Sequence, residues 1–368
     1  MVSRWCTASL RGCLTGSRSF SLWTFTRGRV KPRIPSATVV PRTVNSVPLT
    51  LIIRCSVFTF ASVSTVFVGT VIWDFEHWRR KVARTKERQS QSKSSSPKGG
   101  GILANLHRKI TSFIGRPIVA SDVYWGILLC NILVFLGNRS PLGPFFLRRF
   151  INSPYGPTPA LSMLLSVFSH HSLFHLFINM YVLHSFSSGL ISNIGAGDFL
   201  SLFIGGGVFA SFISLLSKAA RRSPVPSLGA SGGICAILGA FCMLQPHARL
   251  CIPFVVDLFP HSFEAGHSVW VLLTFEFCAS VIFVSRSPID HAAHMGGLIF
   301  GMYYGLSGNE AIWRRRTAIV SWWRQLRDSL CWDQNNEMAC TSLDIHWLYP
   351  HLTGGIAIAQ PGEHPTGR

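Results

Sequence analysis

The chain has 368 residues, of which 48% are hydrophobic and only 13% are charged. Soluble globular domains carry about a quarter charged residues, so the composition excludes an ordinary soluble protein and indicates a membrane protein. The net charge of +19 is accompanied by no zinc-finger, RNA-binding or helix-turn-helix pattern, and we expect no nucleic-acid partner. The ten cysteines include no CxxC pair, so neither a disulfide framework nor a zinc site is predicted.

The N-terminal region, residues 1–50, is basic, rich in serine and free of acidic residues. This composition is typical of a mitochondrial transit peptide, and a disordered basic arm is the alternative. We expect the region to direct import into mitochondria and to form no domain of its own.

Seven apolar windows that are long enough to cross a bilayer follow along the chain. They lie at about 55–73, 117–136, 161–186, 199–216, 228–244, 268–285 and 291–306. The segment 74–116 is charged and then rich in Ser and Gly, which predicts a linker, and residues 307–368 predict a soluble tail. The predicted fold is therefore an all-α polytopic membrane protein, with one N-terminal transmembrane helix (51–73) and a six-helix core (117–306).

A serine flanked by glycines, Gly229-Ala230-Ser231-Gly232, opens the fifth window. At a helix N-terminus such a serine has an accessible hydroxyl and free backbone N–H groups nearby, which suits a nucleophile. The sequence also matches the G-x-S-x-G elbow of α/β-hydrolases, but no strand precedes it, and we reject that interpretation. A stripe of small residues for helix packing remains an equal alternative from this motif alone.

A histidine followed by spaced glycines lies in the last window. His294 is one helical turn before Gly297, and Gly301 follows four residues later, so a neighbouring helix can approach closely and contact the imidazole. Packing of this helix on the Ser231 helix would pair a serine with a general base. An ion or proton site is the alternative for a lone membrane histidine.

Two further polar side chains, His175 and Asn179, share one helix face of the third window because they are four residues apart. Both can donate hydrogen bonds to a developing negative charge, although an ordinary interhelical polar contact is the alternative. His291 precedes His294 by one turn, but no HExxH motif or third ligand indicates a metal site. The nearest acid that we considered, Asp290, lies at the edge of the window, so we expect a serine-histidine dyad without a carboxylate.

The three motifs together, HxxxN, GASG and HxxGxxxG, resemble the rhomboid intramembrane proteases in order and in helix placement. The stretches FSHHSLFHLFINMYVLHSFSS, PSLGASGG and DHAAHMGG are most similar to mitochondrial members of that family, which have a one-plus-six helix plan. The resemblance covers about residues 120–330. It implies that Ser231 is the nucleophile and His294 the general base, with His175, Asn179 and the Ser231 backbone N–H as oxyanion donors.

The resemblance also implies a function. We expect a serine endopeptidase of the mitochondrial inner membrane that needs no cofactor and cleaves single-pass transmembrane proteins within the lipid bilayer. A catalytically inactive relative that only binds membrane clients is the nearest alternative, although such relatives lose the serine or the histidine, and this chain keeps both. A transporter is a third possibility, but the sequence shows neither inverted repeats nor charged pathway residues.

Overall fold

The structure is a computed structural model that describes residues 46–92, 120–251, 261–282, 287 and 289–331. Residues 1–45 of the predicted transit region, 93–116 of the predicted linker, 117–119 at the start of the predicted core and 332–368 of the predicted tail lie outside the described residues. The described helices are α1 (Leu49–Ser92), α2 (Ala120–Gly137), α3 (Gly143–Arg149), α4 (Pro159–Leu165), α5 (Leu173–Arg221), α6 (Ser231–Leu244), α7 (Ala265–Ile282), α8 (His291–Tyr303) and α9 (Asn309–Cys331). A 3₁₀ turn at Ser166–Phe168 follows α4, and a π-helical turn at Tyr304–Gly308 joins α8 to α9. Strands β1 (Arg249–Leu250) and β2 (Phe263–Glu264) form a short antiparallel pair between α6 and α7.

Three of the described helices are long and apolar enough to cross a membrane: Leu49–Lys86, Leu173–Arg221 and Ala265–Ile282. Shorter apolar helices lie at Asp122–Gly137, Pro159–Phe168 and Ser231–Leu244. Six large apolar side chains of α7 are more than half exposed, as on the lipid-facing side of a helix: Trp270, Val271, Phe275, Phe277, Val281 and Ile282. The predicted class, an all-α polytopic membrane protein, is confirmed, and the count of one plus six spans stays a prediction.

The third and fourth predicted windows lie in one interrupted helix, α5. Its 49 residues would measure roughly 70 Å if straight, more than twice the bilayer core of about 30 Å. The helix breaks at Gly195, whose φ of 86° and ψ of 166° are not helical, and the two halves separate there. The predicted start of the third span at residue 161 is wrong, because α5 begins at Leu173, where the Ser172 side chain caps it by accepting the His175 N–H at 3.1 Å. Apolarity alone did not reveal that α5 begins at Leu173, because the run 161–168 before it is equally apolar.

The first helix continues well past the predicted span of 51–73, as far as Ser92. The charged segment that we predicted as the start of the linker is rich in good helix formers, and Glu76 and Arg79 form an i,i+3 ion pair at 2.7 Å. The predicted linker boundary at residue 74 is therefore wrong.

The beginning of the predicted tail is also ordered, because α9 packs on α1. Arg316 lies 2.6 Å from Asp74 and 3.8 Å from the fully buried Asp198 of α5, and Trp323 donates its indole N–H to Glu76 at 3.0 Å. Val71 and Phe75 of α1 complete the contact with apolar side chains of α9. Residues 309–331 thus belong to the packed helical body and not to a free tail.

The centre of the core is α6, which packs closely between α5 and α8. A methyl group added at Gly206 of α5 would overlap Ala236, and one added at Gly297 or Gly301 of α8 would overlap the backbone carbonyls of Gly232 or Ala236. Glycine at these positions therefore lets the backbones touch, as small residues do in membrane helix pairs. This close approach brings the first turns of α6 and α8 together.

We expect Gly301→Ala to lower the thermal unfolding temperature of the purified protein in detergent. The added methyl group must push α6 and α8 apart, and overpacking of this kind typically costs about 1–3 kcal/mol. Gly126→Ala on α2 is the matched control, because no atom lies within 4 Å of its added methyl group. Equal unfolding temperatures for the two variants would contradict the close packing of α6 on α8.

Candidate active site

Ser231 is the first residue of α6, and the turn before it is fixed by glycine. Gly229 has a φ of +137°, which L side chains rarely adopt, and its N–H donates to the Ser166 carbonyl at 3.0 Å. The next N–H, that of Ala230, points to His170 Nε2 at 3.5 Å. The first N–H groups of a helix have no partner within it, so the Ser231 hydroxyl stands beside free donors and the positive end of the helix dipole.

His294 lies in the first turn of α8 and contacts Ser231 directly. Its Nε2 is 2.8 Å from the Ser231 Oγ. The two helices approach closely enough for this bond because Gly297, one turn after His294, rests on the carbonyl of Gly232, one residue after Ser231. Of the glycines predicted to pack at the site, Gly229, Gly232 and Gly297 lie beside Ser231 and His294, whereas Gly301 packs further along α6, on the Ala236 carbonyl.

A carboxylate stands on the other side of the imidazole, so the expectation of a dyad without an acid is wrong. Glu276 of α7 places Oε1 3.0 Å from His294 Nδ1. An ionised carboxylate only accepts hydrogen bonds, so it holds the proton on Nδ1 and leaves Nε2 free to accept the Ser231 proton. Ser231, His294 and Glu276 form a continuous hydrogen-bonded chain across three helices.

The second oxygen of Glu276 binds His291, one turn before His294. His291 Nδ1 is 2.6 Å from Glu276 Oε2, and its Nε2 is 3.1 Å from the Ser287 Oγ. Both histidines and the carboxylate are largely buried, with 8–18% of each side chain exposed. The carboxylate is therefore fixed at both oxygens and has little freedom to turn away from His294.

The two predicted oxyanion donors occupy different positions. The His175 ring faces the site, since a Cβ built on Gly229 would lie 3.1 Å from His175 Nε2 and 3.7 Å from the Ser231 Oγ. Asn179 is buried one turn deeper, and its amide donates to the His175 carbonyl at 2.8 Å, which leaves its second N–H for another acceptor. The structure therefore brings His175, Ser231, His294 and Glu276 together, with Asn179 behind His175.

Glu276 is the site residue that sequence reasoning missed. It lies 18 residues before His294 and on another helix, so no local motif joins the two. A signal was nevertheless present, because an acid inside an apolar window is costly and usually functional. Glu276 is such an acid within the sixth window, 268–285, and should have stood beside the histidines as a candidate.

Comparison with known proteins shows the family to which the chain belongs. A family model described as the Rhomboid domain matches residues 158–309, a range that contains every site residue named above. The mitochondrial presenilin-associated rhomboid-like protein A of Danio rerio is 33% identical over 293 residues, which cover 75% of each chain. The chain belongs to the rhomboid family.

Other relatives within the family are also mitochondrial. The mitochondrial presenilin-associated rhomboid-like protein of Homo sapiens is 32% identical over 283 residues, covering 76% of this chain and 73% of its own. Rhomboid protein 1 of Saccharomyces cerevisiae, also mitochondrial, is 29% identical over 253 residues, covering 64% and 71%. The resemblance to the mitochondrial rhomboids is confirmed. This rhomboid is a multi-pass membrane protein of mitochondria, and the predicted inner-membrane location is consistent with these relatives.

Proposed function

We propose that this rhomboid is an intramembrane serine protease that hydrolyses peptide bonds in or near the transmembrane segments of single-pass membrane proteins. The observation that supports it most is the hydrogen-bonded chain from Ser231 through His294 to Glu276. A serine, a base and an orienting acid in this order are the recurring constellation of serine hydrolases, recognised by geometry and not by sequence order.

The reaction begins when the Ser231 Oγ attacks the scissile carbonyl while His294 Nε2 takes the hydroxyl proton. The oxyanion that forms lies near the N-terminus of α6, where the Ser231 backbone N–H, His175 and Asn179 donate hydrogen bonds. His294 then returns the proton to the leaving amine, and the acyl-enzyme remains on Ser231. Water, deprotonated by the same histidine, releases the second product and restores the Ser231 hydroxyl.

Glu276 keeps His294 in the correct tautomer and stabilises the imidazolium that forms in each step. A carboxylate in this position stays ionised throughout the cycle. The two bonds from His291 and His294 hold both oxygens of Glu276, so the imidazole of His294 is oriented before substrate arrives.

The substrate segment must unwind before it is cut. A continuous helix binds each of its own carbonyls to an N–H four residues later, which hides the scissile bond from Ser231. Glycine, proline or serine near the cut would favour local unwinding. We therefore propose single-pass membrane proteins with such residues as the substrate class.

The test is cleavage of a single-pass reporter by the purified full-length rhomboid in liposomes, with the products identified by mass spectrometry. We expect one peptide bond to be cut within or beside a transmembrane segment that contains glycine or proline. A matched reporter with those residues replaced by leucine should be cut much more slowly. Binding of the reporter without any cleavage would support the client-binding alternative instead.

We expect Asn179→Ala to lower kcat by about 10²-fold, because one well-aimed oxyanion donor is typically worth 10²–10³-fold. The matched control is Asn131→Ala on α2, because Asn131 is also buried and its amide also donates to the carbonyl four residues earlier, that of Ile127, at 2.7 Å. Asn131→Ala should keep the wild-type kcat per folded molecule. Equal kcat values for both variants and the wild type would remove Asn179 from the oxyanion site.

We also propose that residues 1–50 direct import into mitochondria, because the region is basic, acid-free and rich in serine. A soluble fluorescent reporter fused to residues 1–50 should enter mitochondria, where part of the fused segment 1–50 should be removed by cleavage. A variant with the arginines of this segment changed to glutamine should stay in the cytosol. A wild-type fusion that remains cytosolic would contradict the proposal.

A further inference from the structure

A second polar cluster lies beside the first turns of α6 and α8 and contains no residue of the proposed catalytic chain. We call it the Lys218 network; it consists of Lys218 and Ser214 of α5, Ser227 of the loop before α6, and Asp290. The Lys218 Nζ donates to Asp290 Oδ2 at 3.0 Å and to the Ser227 Oγ at 2.5 Å. Ser214 donates to the same Asp290 oxygen at 2.5 Å and lies 3.2 Å from the Ser227 hydroxyl.

Asp290 of this network fixes the first turn of α8, the helix that carries His294. Asp290 is the N-cap of α8, and its Oδ1 accepts the Ala293 N–H at 3.0 Å. Its backbone carbonyl accepts the N–H of His294 itself at 3.1 Å. Through Asp290, the ammonium of Lys218 therefore sets where the first turn of α8 lies relative to α5.

Ser227 of this network fixes the loop that precedes Ser231. Ser227 stands four residues before Ser231, and its backbone exchanges two hydrogen bonds with Asn152, at 2.8 and 3.0 Å. The bond from Lys218 to the Ser227 hydroxyl joins this paired segment to α5. Lys218 thus binds both the loop before Ser231, through Ser227, and the start of α8, through Asp290.

Lys218 and Asp290 form a largely buried ion pair. Only 10% of the Lys218 side chain and 20% of the Asp290 side chain are exposed. Burying an ion pair adds little net stability compared with apolar residues of similar size, so a buried pair is weak evidence for a stabilising role. Its fixed geometry can nevertheless position what it contacts, and here it contacts the loop before α6 at Ser227 and the first turn of α8 through Ala293.

We propose that Lys218 and Asp290 are positioning residues for the proposed protease, setting the separation and orientation of Ser231 and His294 by tying the loop before α6 and the N-terminus of α8 to the end of α5. Neither side chain contacts the reacting atoms. The inference rests on the proposed function and adds to it two residues outside the catalytic chain.

The test is the double variant Lys218→Met with Asp290→Asn, compared with each single variant. Asparagine still caps a helix, and methionine keeps most of the lysine stem, so no buried charge is left without a partner. Each single variant leaves one buried charge without its partner and should unfold at a lower temperature. The double variant should recover much of that loss in unfolding temperature. We expect its kcat to stay about 10- to 100-fold below the wild-type value with KM within twofold, since a displacement of about 1 Å can cost 10²-fold.

Labelling of Ser231 by a fluorophosphonate gives a readout that does not depend on substrate. Its rate should fall in parallel with kcat in the folded double variant, which a purely structural role would not cause. Ser227→Ala is a gentler second variant; it should lower kcat and the labelling rate several-fold. Its matched control is Ser223→Ala, which should leave both rates unchanged. Within the part of the chain that the structure describes, the Ser223 hydroxyl accepts only the nearby Val225 N–H, at 3.4 Å.

Wild-type kcat and labelling in the folded double variant would overturn the positioning role, and wild-type values for Ser227→Ala would do so if the double variant does not fold. In both cases the wild-type rhomboid still cleaves its substrate, so the proposed function stands. A wild-type rhomboid that neither cleaves nor is labelled would overturn the proposed function and this inference with it.

Discussion

Glu276→Gln is expected to lower kcat by about 10²–10⁴-fold while the protein remains folded. Glutamine keeps the size of the side chain but loses the charge, and its N–H can drive His294 into the tautomer that cannot accept the Ser231 proton. The carboxylate is largely buried, with 12% of the Glu276 side chain exposed, and it binds both His294 and His291. The measurement is the rate of reporter cleavage in liposomes, normalised to folded protein.

Glu264→Gln is the matched control for this change. Glu264 lies on β2, next to the start of α7, where it pairs with the exposed Arg249 at 3.6 Å, so the substitution should leave kcat unchanged. Glu276→Asp shortens the side chain by one methylene and should retain more activity than Glu276→Gln because it keeps the charge. Wild-type activity in Glu276→Gln would remove the acid from the mechanism and return the site to a simple dyad.

Ser231→Ala and His294→Ala are each expected to abolish cleavage, and the double variant should be no worse than either one. In serine hydrolases, residues that act as one unit are grossly non-additive, with losses on the order of 10⁶-fold for the nucleophile or the base alone. Ser231→Ala deletes one hydroxyl beside Gly232, so we expect little change in folding. The measurement is single-turnover cleavage with enzyme in excess, which detects very slow variants.

Ser192→Ala is the control for the loss of a serine hydroxyl, because Ser192 is exposed and, among the described residues, its hydroxyl bonds only to the Gly189 carbonyl of its own helix, at 2.8 Å. Its cleavage rate should equal the wild-type rate. Losses that add up in the double variant would mean that Ser231 and His294 act separately, which the 2.8 Å bond between them argues against.

The sequence predicted the parts of this protein that depend on local composition. Apolar windows predicted the helices because the bilayer demands continuous apolar runs, and the glycine-framed Ser231 and His294 could be paired because spaced glycines indicate close helix contact. The approach of Gly297 and Gly301 to the α6 backbone is what those spacings suggested.

The parts that could not be predicted depend on long-range packing or on helix ends. Glu276 reaches His294 only because α7 packs beside α8, which no spacing within either helix reveals. The end of α1 at Ser92 is a helix end that no apolar window marks. The packing of α9 depends on contacts such as Arg316 with Asp74, which join residues far apart in sequence. Lys218 and Asp290 are separated in the same way, so their pairing emerged only from the structure.

The central claim is that Ser231 becomes a covalent nucleophile when His294 removes its proton. Treating the purified wild-type rhomboid with a fluorophosphonate and mapping the modified peptide by mass spectrometry tests it most directly. We predict one label on Ser231, loss of cleavage in proportion to labelling, and no label in Ser231→Ala or His294→Ala. Undiminished cleavage of the membrane reporter by Ser231→Ala in a protease-free preparation, or a label on another residue that blocks activity, would contradict the account.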